Sequence, residues 1–313
     1  MKSMAFAPAN ISCIFVIKNG KSPATSGSLG LGFTVNKGVF AAITKISNNK
    51  KLPIIKNSLK NKKIINKINV NNKIGKTIKN NNKINKTIIC FNNKKTNFPT
   101  INSVIKKLTN EKVIADIKSE LPLGYGFGIS GAAALATAYA LNKLLRLKKS
   151  KKQLALIAHI AEVENATGLG DVVNQYYGGF LIKYKPSYLF KVKKIIIKDK
   201  TIYYQYFSGI DTKKTISNKK IKNKINNAGL NSLKKIRKLN NKDLNLKNLI
   251  KTSKEFAVNS GLLKNKEVIE MIKNIEKNNG NASMIMLGNA VFSDKYFKGS
   301  KQLIIKDKGA CLC

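Results

Sequence analysis

Residues 122–131 read Pro-Leu-Gly-Tyr-Gly-Phe-Gly-Ile-Ser-Gly and lead without a break into an apolar, alanine-rich stretch at 132–145. Nothing else in the chain constrains it as tightly. Glycine at alternate positions gives a backbone that a ligand can approach closely. The helix predicted over 130–147 turns its unpaired N–H groups and positive dipole end toward that loop. This is an anion site, and phosphate is its usual occupant. A glycine-rich helix cap without a ligand is the bland alternative.

Two common phosphate loops fail on the residues. Gly126-x-Gly128-x-x-Gly131 matches the dinucleotide fingerprint in form, yet no Asp or Glu stands between Glu120 and Glu162 to hold a ribose, and Pro122 breaks the strand-to-turn junction. The P-loop pattern needs a lysine inside the loop, and there is none.

At 313 residues the chain is long enough for two domains. Its formal charge of +44 would ordinarily point to a polyanion partner. The charge is almost all lysine, however, with Arg146 and Arg237 the only arginines, and it travels with an excess of asparagine and isoleucine. All three residues share A/T-rich codons, so base bias explains them together. Arginine forks and stacking aromatics, the tools of nucleic-acid readers, are sparse. No specific nucleic acid is therefore expected as a partner. Cys13, Cys90, Cys311 and Cys313 lack metal-site spacing and fit a reduced cytoplasmic protein. The longest apolar run is too short to span a bilayer, so no membrane partner is expected. A homodimer is compatible with the sequence.

Where lysine is so common, its absence is informative. Lysine-free windows cover 3–17, 22–36, 119–142, 153–182 and 278–294. Each could be plain core, but several also carry glycine, serine and isolated carboxylates, which suggests an enclosed polar site. Strands are predicted at 5–17, 33–43, 112–118, 178–182, 195–197 and 202–207. Helices are predicted near 104–108 and at 130–147 and 151–165, and lysine-rich helices from 213 to 278. A buried strand-turn-strand is predicted at 283–292. The segment 45–97 is low in complexity, with weak strand alternation at 73–78. The expected class is α+β with a domain boundary in the 184–190 region.

Phosphoryl transfer needs a carboxylate for the acceptor hydroxyl and ligands for Mg²⁺. The chain has 15 acidic residues. Asp199, Asp211, Asp243, Glu255, Glu267, Glu270, Glu276 and Asp307 lie beside lysines on solvated faces. Glu162, Glu164 and Asp171 cluster instead inside a lysine-free window. His159 and Glu162 share a helix face; Glu164 points elsewhere. Asp171 follows the turn Thr167-Gly-Leu-Gly170, where an ordinary N-cap is the competing reading. His159, the sole histidine, could equally be a core residue.

The loop Pro122-x-Gly124-x-Gly126-Phe-Gly128-Ile-Ser130-Gly131-Ala132 resembles the phosphate loop of the GHMP kinase superfamily. Phe127 takes the usual leucine position and Gly131 that of a second serine. Within the superfamily the chain looks most like the archaeal pantoate kinase branch. That likeness rests on 5–8, 15–17, 25–30, 124–131, 161–171, 175–180 and 283–292. It departs at Pro8-Ala-Asn10, where the branch tends to carry Gly-His, and at Lys183, where arginine is the tighter partner for a carboxylate.

The resemblance implies a two-domain GHMP kinase-like fold, with a ribosomal protein S5 domain 2-like half at 1–186 and a GHMP kinase-like α/β sandwich at 187–313. It implies ATP on Pro122, Gly124, Gly126, Phe127, Gly128, Ile129, Ser130, Gly131 and Ala132. Mg²⁺ would be held by Ser130 and Glu162, with Asp171 as the acceptor-side carboxylate. Ser28, His159 and Lys183 would hold a small-molecule substrate, pantoate. The rival acceptors are homoserine and mevalonate.

Overall fold

The computed structural model describes residues 1–46, 86–210 and 219–313. The alternating 73–78 segment, Asp211 and the start of the predicted 213–278 helical stretch lie outside the described residues. Lysine-free windows mark what is buried. The window 3–17 falls in strand β1 (Lys2–Lys18), and 22–36 opens into β2 (Gly27–Lys45). These two long strands pair antiparallel and form the spine of the molecule. Ala5, Ala7 and Ala9 along β1 are wholly buried, and these small side chains let a helix sit close to the sheet.

That helix is α2 (Ile129–Leu145), which follows the glycine loop and packs on β1 and β2. It is buried on every side along residues 129–141, as befits a helix enclosed in protein. It ends two residues before the predicted boundary because Arg146 adopts a left-handed conformation. Before it come β3 (Ile88–Phe91), β4 (Lys94–Lys95), α1 (Pro99–Leu108) and β5 (Val113–Ser119). Helix α1 starts five residues earlier than predicted, with Pro99 in the first turn, where its missing N–H costs nothing.

Helix α3 (Lys151–Glu164) opens on a Ser150–Gln153 capping box, and α4 (Asp171–Tyr177) follows it. Strands β6 (Phe180–Lys183) and β7 (Lys193–Ile195) come next. β7 ends where the predicted strand begins, and Ile196 is exposed.

The first sheet runs β12-β1-β2-β5-β3-β4, with β6 paired to a separate stretch of β2 and β7 paired to β6. Its strand β12 (Cys311–Leu312) comes from the far end of the sequence. The second sheet runs β11-β8-β10-β9, built from β8 (Thr201–Gly209), β9 (Ala282–Met284), β10 (Gly288–Ser293) and β11 (Lys301–Ile304). Between β8 and β9 in the sequence come the amphipathic helices α5 (Lys219–Arg237), α6 (Leu246–Asn259) and α7 (Lys266–Lys277). Asn226 of α5 pairs with both backbone groups of Ile17, and Ser253 of α6 donates to the Cys13 carbonyl. These bonds dock the second half onto β1.

Candidate functional site

The glycine loop is a folded object. Gly124, Gly126 and Gly128 all have positive φ (87°, 84° and 62°), a conformation that side-chain-bearing residues rarely adopt. The loop leans on the β9–β10 turn so closely that a Cβ on Gly126 would lie 2.8 Å from the Met286 carbonyl oxygen. From below, the fully buried Gln175 of α4 donates through Nε2 to the Gly128 carbonyl (2.7 Å). Asn10 donates its backbone N–H to the Phe127 carbonyl (3.0 Å).

Above the loop lies a cavity of ≈ 400 Å³. Its wall includes Gly124, Gly126, Phe127, Gly128, Ile129 and Ser130 of the predicted nucleotide set, together with Ser28, Asp171 and Lys183. Pro122, Gly131, Ala132, Glu162 and His159 are not part of the wall.

Asp171 is the first residue of α4, and Gly170 is its N-cap, so the ordinary capping role is excluded. Its Oδ1 accepts from Asn10 Nδ2 (2.6 Å) and Ser12 Oγ (3.2 Å), and Asn174 Nδ2 holds Asn10 by its side-chain oxygen (2.8 Å). Asn10 and Ser12 share one face of β1. The register of β1 on β2 shifts on either side of them, between Pro8 and Asn10 and between Ser12 and Ile14. Bulges of this kind aim side chains at a site. Neither residue was among the predicted site residues. Their signal was polarity at alternate positions of an otherwise apolar strand.

Burial raises the Asp171 carboxyl above its usual range, while Lys183, Asn10 and Ser12 pull it back. Lys183 is itself buried and donates to the Gly170 carbonyl (2.8 Å). Burial lowers its ammonium to about 8, against the opposing pull of Asp171 and Glu162. Ser28 Oγ, on the same wall, donates to the Leu169 carbonyl (3.3 Å).

Glu162 lies behind the wall, wholly buried on α3 between Gly131 and Gly168. Neither carboxylate oxygen has a hydrogen-bond partner. Desolvation and the neighbouring Asp171 charge push its carboxyl well above the ordinary range, and the Val172 backbone and Lys183 offset this only in part. Ser130 Oγ donates to Thr100 Oγ1 (3.2 Å), which in turn meets Thr167 Oγ1 (3.1 Å). Its lone pairs remain available as ligands. His159 is fully buried; its Nε2 bonds to the Ser26 carbonyl (3.0 Å), and its Nδ1 is unpartnered. Burial lowers its pKa, so the ring is neutral. Glu164 instead pairs with Lys107 (2.7 Å) on the surface.

Residues 94–179 match the family described as GHMP kinases N terminal domain. The pantoate kinase of Methanocaldococcus jannaschii is 34% identical over 292 residues, 92% of this chain and 90% of its own. The chain belongs to the pantoate kinase family. Another member, from Thermococcus kodakarensis, is 26% identical and aligns over 96% of this chain and 91% of its own. Among solved structures, a phosphotransferase related to the CoA biosynthesis pathway superposes with a TM-score of 0.76 at 22% identity, covering 100% of this chain and 99% of that one. The two-domain α+β fold of this kinase family is thereby shown. Among the described residues, no helix is long and apolar enough to cross a membrane.

Proposed function

We propose that the protein transfers the terminal phosphoryl group of ATP to the primary hydroxyl of (R)-pantoate, giving ADP and 4-phosphopantoate on the route to coenzyme A. The observation that carries this reading is the joint placement of a glycine loop and a hydrogen-bonded carboxylate on one cavity wall, in a chain of this family.

Two donors occupy Oδ1 of Asp171, which leaves Oδ2 for the acceptor hydroxyl. As the hydroxyl oxygen bonds to the terminal phosphorus and the bridging P–O bond breaks, Asp171 takes the hydroxyl proton. The loop N–H groups and the α2 N-terminus face the phosphates. Lys183 and Ser28, beside Asp171 on the cavity wall, hold the pantoate carboxylate, with neutral His159 in support behind them. The unpartnered oxygens of Glu162 and the free lone pairs of Ser130 suit a hard cation. These two residues would hold Mg²⁺, which when bound neutralises phosphate oxygens.

The test offers the purified protein Mg-ATP with pantoate, pantothenate, mevalonate or homoserine and measures ADP release. Turnover is expected with pantoate alone. Preference for mevalonate or homoserine would overturn the assignment of acceptor.

A further inference from the structure

Gln175 has two polar ends with different fates. Its Nε2 donates to the Gly128 carbonyl, which can only accept, and this fixes which way the amide faces. Its Oε1 must then point the other way, where it is buried without a partner. Both oxygens of Glu162 are in the same condition. These groups converge, for a Cβ placed on Gly131 would lie 2.8 Å from Gln175 Oε1 and 2.8 Å from Glu162 Oε2. Two acceptors thus bracket one point, in a place where every polar group normally finds a partner. Divalent cations are bound by oxygen acceptors of this kind, carboxylate and side-chain amide alike.

We propose that Gln175 is a cation ligand, its Oε1 joining Glu162 to seat the divalent ion beside Gly131. This inference rests on the kinase reading for the presence of the cation. It adds a ligand and a division of labour, in which one amide braces the phosphate loop through nitrogen and holds the ion through oxygen.

The test measures Mn²⁺ binding by electron paramagnetic resonance on the full chain with ADP and without acceptor. Gln175→Leu is expected to weaken Mn²⁺ binding by about tenfold or more. Glu162→Gln covers the case in which that variant fails to fold. Its amide N–H can donate to Gln175 Oε1, so it should lose Mn²⁺ binding yet melt at a higher temperature than the wild type in chelator. Wild-type Mn²⁺ affinity in folded Gln175→Leu, no bound Mn²⁺ in the wild type, or an unchanged or lower melting temperature for Glu162→Gln would each overturn the proposal. ADP release with pantoate on the same preparations separates the two readings. Pantoate turnover by the wild type, with undiminished Mn²⁺ binding in Gln175→Leu, removes only this inference. Weakened Mn²⁺ binding in Gln175→Leu, with no pantoate turnover by the wild type, removes only the choice of acceptor.

Discussion

The end of α3 and the start of α4 each present a carboxylate, and the two are furnished in opposite ways. Asp171 sits on the cavity wall with two side-chain donors on one oxygen and a buried ammonium nearby. Glu162 lies behind that wall with no hydrogen bond on either oxygen. A carboxylate that must orient a hydroxyl needs its own geometry fixed from behind, leaving one oxygen free. A carboxylate that waits for a cation needs its oxygens bare. Asp171 is open to the cavity and Glu162 is wholly buried, yet it is the donors that separate their roles most clearly. Surface pairs such as Lys235–Glu255 form a third kind, half-exposed and stabilised mainly by water.

The largest effect should come from Asp171→Asn, which keeps the shape and the bonds to β1 but cannot take a proton. Turnover should fall by about a thousandfold or more with the fold intact by circular dichroism. A kcat near wild type would erase the distinction between the two carboxylates. Next is Asn10→Ala, which removes the stronger donor on Asp171. It should lower kcat by up to about a hundredfold through misplacement, while KM for ATP stays put; a change confined to KM for ATP would place Asn10 elsewhere in the reaction.

The pH dependence tests the ammonium that serves Asp171. Lys183 loses its proton at about pH 8 rather than 10.5. KM for pantoate should therefore rise as pH passes through 8, by no more than about tenfold per unit. The sign for stability is opposite. The unfolded chain binds the extra proton between pH 8 and 10.5, so this group's contribution to stability increases across that window. A flat KM from pH 7 to 9 would detach Lys183 from the substrate. The smallest effect belongs to Glu255→Ala, expected to cost less than about 1 kcal/mol in urea unfolding, with activity untouched.

Lysine scarcity located the buried elements well, because an ammonium is costly to bury and a chain this rich in lysine shows its interior as gaps. The same gaps pointed to Glu162 and Asp171. Chemistry set by tertiary contact was harder to read. Asn10 and Ser12 are far from Asp171 in sequence, and only the two β1 bulges aim them at it. Gln175 stood in plain view beside a Gly-Gly turn, but its meaning depends on which carbonyl its nitrogen meets. His159 was expected against the substrate; its position behind Ser26 follows from packing between α3 and the residues ahead of β2, which helix periodicity does not report. Boundaries slipped where special backbone decided them, as at Pro99 and Arg146.

The β9–β10 turn that presses on Gly126 has a mechanical consequence. The second sheet reaches the first through this contact as well as through its helices. Rotating one sheet against the other would drag the Met286 carbonyl across the glycine loop. On the kinase reading, any displacement that parted the two sheets would also loosen this loop, so release of spent nucleotide would be tied to opening of the protein.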